Sequence, residues 1–273
     1  MRGLGDGWKF GLWALCLAAS GCVPANERTV HRVETLRVDT IRLEYANAHL
    51  VRWGGEAFLV DSGSTGTVTQ LDAALREAGV EPASLRAVIV THGHADHAGG
   101  AAHLRGLGVP VVAGAGDRAA LATGHNDTLC PTDGGARDRL AQDQSARFDG
   151  LEADVWIDAP TPLAPLVGVQ GWIHPLPGHT PGSLVVTAAG AAFVGDLFRG
   201  EILSEGADVH FYNCDLVDNR RDIEALLADV APHAAQIFVG HFGPVHRAHL
   251  QDLLREPWGH SPSTVADAAR ALP

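Results

Sequence analysis

The chain has 273 residues, 46% of them hydrophobic and only 19% charged, ample apolar material for a large core and no sign of a disordered protein. Its formal net charge of −12, with no basic stripe, argues against nucleic acid or an anionic lipid surface as a partner. Neither a Gly-x-Gly-x-x-Gly nor a Walker-type phosphate loop occurs, and Arg220-Arg221, the one adjacent basic pair, suits a solvated helix face.

The chain opens with a short apolar run, residues 10–19, too brief to span a bilayer and suited to the hydrophobic region of a signal peptide. Ala19-Ser-Gly-Cys22 follows and resembles a bacterial lipobox, whose cysteine is lipidated and becomes the mature N-terminus. Residues 1–22 are therefore read as a signal peptide of lipoprotein type, 23–32 as a tether and 33–273 as one domain. The alanine opening the box and Asp6 in the leader keep a plainly cleaved signal, or a displaced start, as competing readings. Val23, where an aspartate is associated with inner-membrane retention, favours by resemblance an outer-membrane anchor facing the periplasm.

Three strands are expected over 36–43, 49–53 and 56–61. Apolar Val68, Leu71, Ala74, Leu75 and Ala78 then recur at helical spacing over 67–78, and Gly79 ends that helix. The β-branched run at 85–91 predicts a buried strand, followed by a helix at 96–105, a strand at 109–113 and a helical turn at 117–122. Residues 124–150 turn polar and aperiodic, which by itself reads as a plain surface loop. Further strands are expected near 169–174, 183–188, 191–196 and 236–240, with helices at 219–230, 247–255 and 263–271. A strand-rich start followed by βα alternation predicts an α/β protein with two sheets sandwiched between helices.

The densest chemistry is Thr91-His-Gly-His-Ala-Asp-His97, which sets His92, His94, Asp96 and His97 within six consecutive positions. Each brings a polar group that an ordinary core leaves unpartnered, and imidazole and carboxylate are the donors that zinc and similar first-row cations take. Polar residues also close other apolar runs: Asp61 after Phe58-Leu-Val60, His179 after residues 173–176, Asp196 after Phe193-Val194, and His241 after Ile237-Phe-Val239. Strands covered on both faces read as such runs, so side chains at their ends converge on one rim.

His-x-His-x-Asp-His after an apolar strand is the signature of metallo-β-lactamase-fold hydrolases, and the chain resembles that superfamily in five ordered segments. These are Leu59-Val-Asp-Ser-Gly-Ser64, the cluster itself, Leu176-Pro-Gly-His-Thr-Pro-Gly-Ser183, Phe193-Val-Gly-Asp-Leu-Phe198 and Ile237-Phe-Val-Gly-His-Phe-Gly-Pro-Val245. The resemblance implies a four-layer αββα sandwich, in which residues 124–150 would be a lid or substrate-pocket insertion over the site rather than a plain surface loop. It also implies two cations per chain, zinc by preference with iron or manganese as alternatives: His92, His94 and His179 on one, Asp96, His97 and His241 on the other, and Asp196 between them. Asp61 would orient a ligand, or else serve only as a turn residue.

A metal-bridging hydroxide would then attack a small-molecule ester, thioester or lactone, with Asp96 helping to move the proton. An aspartate at 196 is similar to the glyoxalase II and lactonase branch, whereas the β-lactamases typically carry cysteine or serine there. Against glyoxalase II itself, no appended helical domain is expected after His241 and no basic cluster suits glutathione. Alternatives are an iron-dependent sulfur dioxygenase, a β-lactam hydrolase, or a metal-holding module without turnover. His210, with Phe211 and Tyr212, reads either as part of an apolar pocket wall with one polar donor for a substrate oxygen, or as a buried or surface residue outside the site. Cys130 and Cys214 are open to a disulfide, which an exported compartment permits, to separate buried thiols, or to a pocket-lining role for Cys214.

Overall fold

The computed structural model describes residues 28–234, 236–255 and 258. Cys22, the leader and the helix expected at 263–271 lie outside them. Among the described residues no helix is long and apolar enough to cross a membrane.

The first sheet runs in chain order through β1 (Arg28–Val33), β2 (Leu36–Leu43), β3 (Ala46–Trp53), β4 (Glu56–Val60), β5 (Val88–Val90), β6 (Val111–Gly114) and β7 (Val155–Ile157). It is antiparallel through β4 and parallel from there on. The tether expected at 23–32 is thus corrected from Arg28 onward, where the chain pairs with β2 in the register Arg28↔Ile41. The second sheet contains β8 (Thr161–Pro162), β9 (Gly171–Pro175), β10 (Leu184–Ala188), β11 (Ala191–Phe193), β14 (Gln236–Phe238) and β15 (Val245–His246). A small ribbon, β12 (Arg199–Gly200) with β13 (Ala207–Asp208), stands apart.

Strict alternation along the strands assigns the layers. Phe58, Val60, Ile89 and Val112 of the first sheet meet Ile173, Val186, Phe193 and Phe238 of the second in a shared inner core. The opposite face of the first sheet, with Leu59, Val88, Val90 and Val111, packs under α1 (Val68–Glu77) and α3 (Ala101–Gly106) through Leu71, Leu75 and Leu104. The outer face of the second, with Val185, Ala192 and Ile237, is covered by Ile223 of α7 (Leu216–Ala225) and by Leu250 and Leu253 of α8 (Arg247–Leu253). The order helix, sheet, sheet, helix is the αββα sandwich expected. It also explains the continuous apolar runs, since both faces of every central strand are dry.

The helix expected at 96–105 is two pieces, α2 (Ala95–Ala98) and α3. Between them Gly100 lies so close to Ser62 that a Cβ would press on its carbonyl oxygen, and the Gly100 N–H donates to Ser62 Oγ at 3.1 Å. Packing against the end of β4 therefore overrides helical continuity. The polar stretch at 124–150 also holds an unforeseen helix, α5 (Gly134–Gln144), entered through Asp133, whose carboxylate accepts from Ala136 N–H at 2.7 Å. Two shorter helices, α4 (Arg118–Thr123) and α6 (Ala164–Val167), complete the set.

Asp39 on β2 is fully buried and is met by Arg28 at 2.7 Å, Arg52 at 2.6 Å and Arg37 at 3.4 Å. Removing one partner of a buried pair strands the other charges. Asp39→Ala is expected to lower unfolding free energy in urea by about 3 kcal/mol, the low end for such a loss because the arginines keep some water. A loss below ~1 kcal/mol would show that the cluster behaves as a surface pair.

Candidate metal centre

Strand ends from both sheets meet at one carboxylate. β5 stops at Val90 and the chain turns through His92 and His94 into α2, which carries Asp96 and His97. β11 stops at Phe193 and delivers Asp196, β14 stops at Phe238 and delivers His241, and the connection from β9 to β10 carries His179. His97 Nε2 lies 3.3 Å from Asp196 Oδ2, His241 Nε2 3.2 Å, His92 Nε2 3.6 Å and His179 Nε2 3.9 Å. Gly240 makes this approach possible, because a Cβ there would run into Asp196 Oδ1 and the His97 ring.

The donor atoms of His92, His94, His179 and Asp196 fall within 4.8 Å of one another, and so do those of Asp96, His97 and His241. All seven side chains expected as ligands are brought together. His94 Nδ1 and His179 Nε2 are 3.1 Å apart, and His97 Nε2 and His241 Nε2 are 3.3 Å apart. Imidazole nitrogens aimed at a common point need a cation or a proton between them. His92 Nε2 and Asp196 Oδ1 are buried with no hydrogen-bond partner, as ligand atoms facing an ion position would be. The residues fit two first-row divalent cations bound through imidazole and carboxylate.

Other side chains set which ring nitrogen faces inward. Asp61 Oδ2 lies 2.9 Å from His97 Nδ1, as expected of an orienting residue, and it accepts from Thr91 Oγ1 at 2.8 Å, while Oδ1 accepts from the Thr91 N–H at 2.7 Å. Asp61 holds a left-handed backbone, φ 61°, rare for a residue with a Cβ and here maintained by this dense bonding. The Tyr45 carbonyl oxygen sits 2.8 Å from His241 Nδ1. Each imidazole can then donate outward and keep its inner nitrogen as a lone pair.

Charge in the centre is strongly coupled. Burial, together with the nearby His97, pushes His92 well below the usual histidine range, and burial followed by His210 does the same to His179. Burial opposes charge on His241 as well, yet Asp196 and Asp96 outweigh it and raise the ring to about 10. Desolvation works against the Asp196 carboxylate, but His210, His241, His97 and His92 hold it well below the usual range. The two carboxylates therefore demand positive charge, which protons supply in the absence of cations.

Several organising residues carry no local signature. Asp117, just before α4, accepts from Gly93 N–H and Thr180 Oγ1 at 2.7 Å through one oxygen and from Gly182 N–H at 2.7 Å through the other. It clamps the His92–His94 turn to the turn bearing His179. Asn47 binds the carbonyls of Val239 at 3.0 Å and Phe242 at 2.8 Å, fixing the loop of His241 to β3. Asp127 Oδ1 lies 2.9 Å from His94 Nε2, and Asn126 Oδ1 accepts from Ala95 N–H at 2.8 Å. The polar segment at 124–150 thus reaches the centre, as a lid would. The one shared clue was an acidic or amide residue near an apolar strand or glycine turn.

Cys130 and Cys214, 84 positions apart, form a disulfide that ties this segment to the loop before α7. His210 lies on that loop with its ring 4.8 Å from His179 and 5.2 Å from His241, inside the centre. Tyr212 does not join it. Its ring packs on Leu129 and Ala136, and its hydroxyl donates to the Ala136 carbonyl at 3.0 Å and to Asp143 at 2.5 Å. The expected pocket role of Tyr212 gives way to anchoring of α5, because α5 supplies the only acceptors its buried hydroxyl meets.

A family model for the metallo-beta-lactamase superfamily matches residues 41–241, well over half of the chain, and the protein belongs to that superfamily of metallo-hydrolases. A hydroxyacylglutathione hydrolase of Anaeromyxobacter dehalogenans is 36% identical over 149 residues, 54% of this chain and 44% of that protein, so the match spans less than half of the relative. A Cronobacter sakazakii metallo-β-lactamase with a HARLDQ motif superposes with TM-score 0.60 at 20% identity, covering 80% of this chain and 87% of the other. For a subclass B3 metallo-β-lactamase of Bradyrhizobium japonicum the TM-score is 0.59 at 16% identity, with 80% and 86% covered. At these identities the two structures speak to the fold.

Asp61→Asn should weaken binding of metal held through His97 by about 10–100-fold, the usual cost of losing a residue that orients a ligand, and Asp127→Asn should do the same to metal held through His94. Chelator competition on the zinc-loaded protein reads both constants. Equal weakening of both cations by either variant would contradict the assignment of Asp61 to His97 and of Asp127 to His94.

Proposed function

We propose that the protein is a binuclear metallo-hydrolase that cleaves a thioester or a related ester or lactone. The observation carrying this reading is the convergence of both ligand groups on the single Asp196 carboxylate. The 36% identity to a hydroxyacylglutathione hydrolase over 149 residues supports a thioester ahead of a β-lactam.

His92, His94 and His179 would hold one cation, Asp96, His97 and His241 the other, and Asp196 both. When bound, two zinc ions, or iron or manganese in their place, would supply Lewis acidity and lower the pKa of a bound water from 15.7 to roughly 7. Around that chemistry the protein supplies orientation and proton transfer. Asp61, Asp127 and the Tyr45 carbonyl keep ligand lone pairs inward, so no reorganisation is needed during reaction. The Asp96 side chain is 44% exposed while Asp196 is 2% exposed, so Asp96 is the ligand carboxylate that faces bulk water. Desolvation works against its charge, but His97 and His241 outweigh it and hold the carboxyl well below the usual range, so any proton it takes up it passes on rather than keeps.

Export belongs to the same reading. The disulfide between Cys130 and Cys214 supports an oxidising compartment, in keeping with a periplasmic lipoprotein anchored through Cys22. Cys22→Ala is expected to move the protein from the membrane fraction to the soluble one, and unchanged fractionation would remove the anchor from the account.

The metal-loaded protein should hydrolyse a hydroxyacyl thioester, and chelation should stop it. His94→Ala should cost on the order of 10³-fold in kcat/KM, the equivalent of about 4 kcal/mol, with the fold retained by circular dichroism. Turnover of a chromogenic cephalosporin in preference to the thioester, or oxygen uptake on a persulfide by a single-iron form, would overturn the substrate class.

A further inference from the structure

His210 lies outside the set of seven ligands, yet its geometry matches theirs. Its Nε2 is 3.0 Å from Asp196 Oδ2, nearer than any of the four ligand histidines described against that oxygen. The contact is off the line a hydrogen bond requires, so Nε2 stays buried without a partner, as His92 Nε2 does. The residue is 4% exposed, and its donor atom lies within 4.8 Å of those of Asp196 and His241.

The outer side of the ring repeats the pattern at His241. His210 Nδ1 lies 3.1 Å from the Tyr212 carbonyl oxygen, as His241 Nδ1 lies 2.8 Å from that of Tyr45. A histidine that donates outward to a backbone carbonyl leaves a lone pair inward, which is the usual arrangement of a metal-binding imidazole. In the other tautomer Nδ1 accepts from the Tyr212 N–H at 3.3 Å, and a cation at Nε2 would select the tautomer in which Nδ1 donates to the Tyr212 carbonyl. The ring is further held from behind, because Thr132 Oγ1 donates to the His210 carbonyl at 2.7 Å and the Cys130–Cys214 disulfide closes the same loop. An imidazole so constrained has little freedom to turn away.

We propose that His210 is an eighth protein ligand, binding through Nε2 the cation held by Asp96, His97 and His241. The inference rests on the binuclear reading above. With Asp196, that position would have five protein donors, more than the four of a tetrahedral zinc site and closer to what iron or manganese accepts. The other position would keep only His92, His94, His179 and the shared carboxylate. The two sites would thus differ in coordination number and in metal preference, an asymmetry that the His-x-His-x-Asp-His signature does not contain.

The test needs no substrate. The full chain is loaded with zinc or with cobalt, and metal content, chelator competition and the visible spectrum of the cobalt form are compared for wild type, His210→Ala and the space-filling His210→Gln. Both variants should lose affinity for one cation by at least tenfold, since losing a ligand costs no less than losing a residue behind one. The cobalt bands should change in intensity as that site drops to four protein donors, and His210→Cys, which restores a donor, should recover affinity. Two cations at wild-type affinity with an unchanged cobalt spectrum in both variants would overturn the proposal while leaving the binuclear reading intact. A wild-type protein that takes up fewer than two cations would overturn both.

Discussion

One buried carboxylate organises this protein. Asp196 is withdrawn from water at the junction of two sheets, where an unpaired negative charge is costly, and it is met by imidazoles from four separate segments. No single segment supplies enough positive charge or enough donors to stabilise it. The fold must therefore bring strand ends from both sheets to within a few ångströms of one another. Everything else near the site serves that convergence or prevents its collapse.

The sheets are joined across the site rather than only through their apolar faces. The Leu184 N–H donates to the Thr91 carbonyl at 2.8 Å, linking the start of β10 to the end of β5. Asn47 and His49 of β3 reach the Val239 carbonyl at 3.0 and 3.2 Å beyond the end of β14. Burial lowers His49 to about 3, so this ring stays neutral and acts as a fixed hydrogen-bonding strut. Asp117 performs the corresponding task between the two turns that carry His92, His94 and His179. Such contacts lock backbone carbonyls and amides, so ligand positions follow from main-chain geometry instead of from flexible side chains.

The segment at 124–150 adds a second level of control. Through Asp127 it touches a ligand directly, through Tyr212 and Asp143 it grips the loop of His210, and the disulfide closes the same connection covalently. The segment and the loop before α7 are therefore tied to each other beside the centre. Apart from His210, their residues shape and tune a site that the sandwich has already assembled.

The ligands were legible in the chain because His92, His179, Asp196 and His241 each follow an apolar run and sit beside a glycine, and because His92, His94, Asp96 and His97 crowd into six positions. The two-sheet architecture was legible because strands buried on both faces leave unbroken runs of Val, Ile, Leu and Phe. The roles of Asp117, Asn47 and Asp127, the break at Gly100, the inward turn of His210 and the outward turn of Tyr212 were not. Each depends on a partner tens of residues away, and a lone Asp or Asn in a polar turn has the same local pattern whether or not such a partner exists. By itself the sequence determined the donor types and the layers they close. Only the tertiary structure decided which nitrogen of His94, His97 and His241 faces the centre, because that choice is made by Asp127, Asp61 and the Tyr45 carbonyl, which folding brings in from elsewhere in the chain.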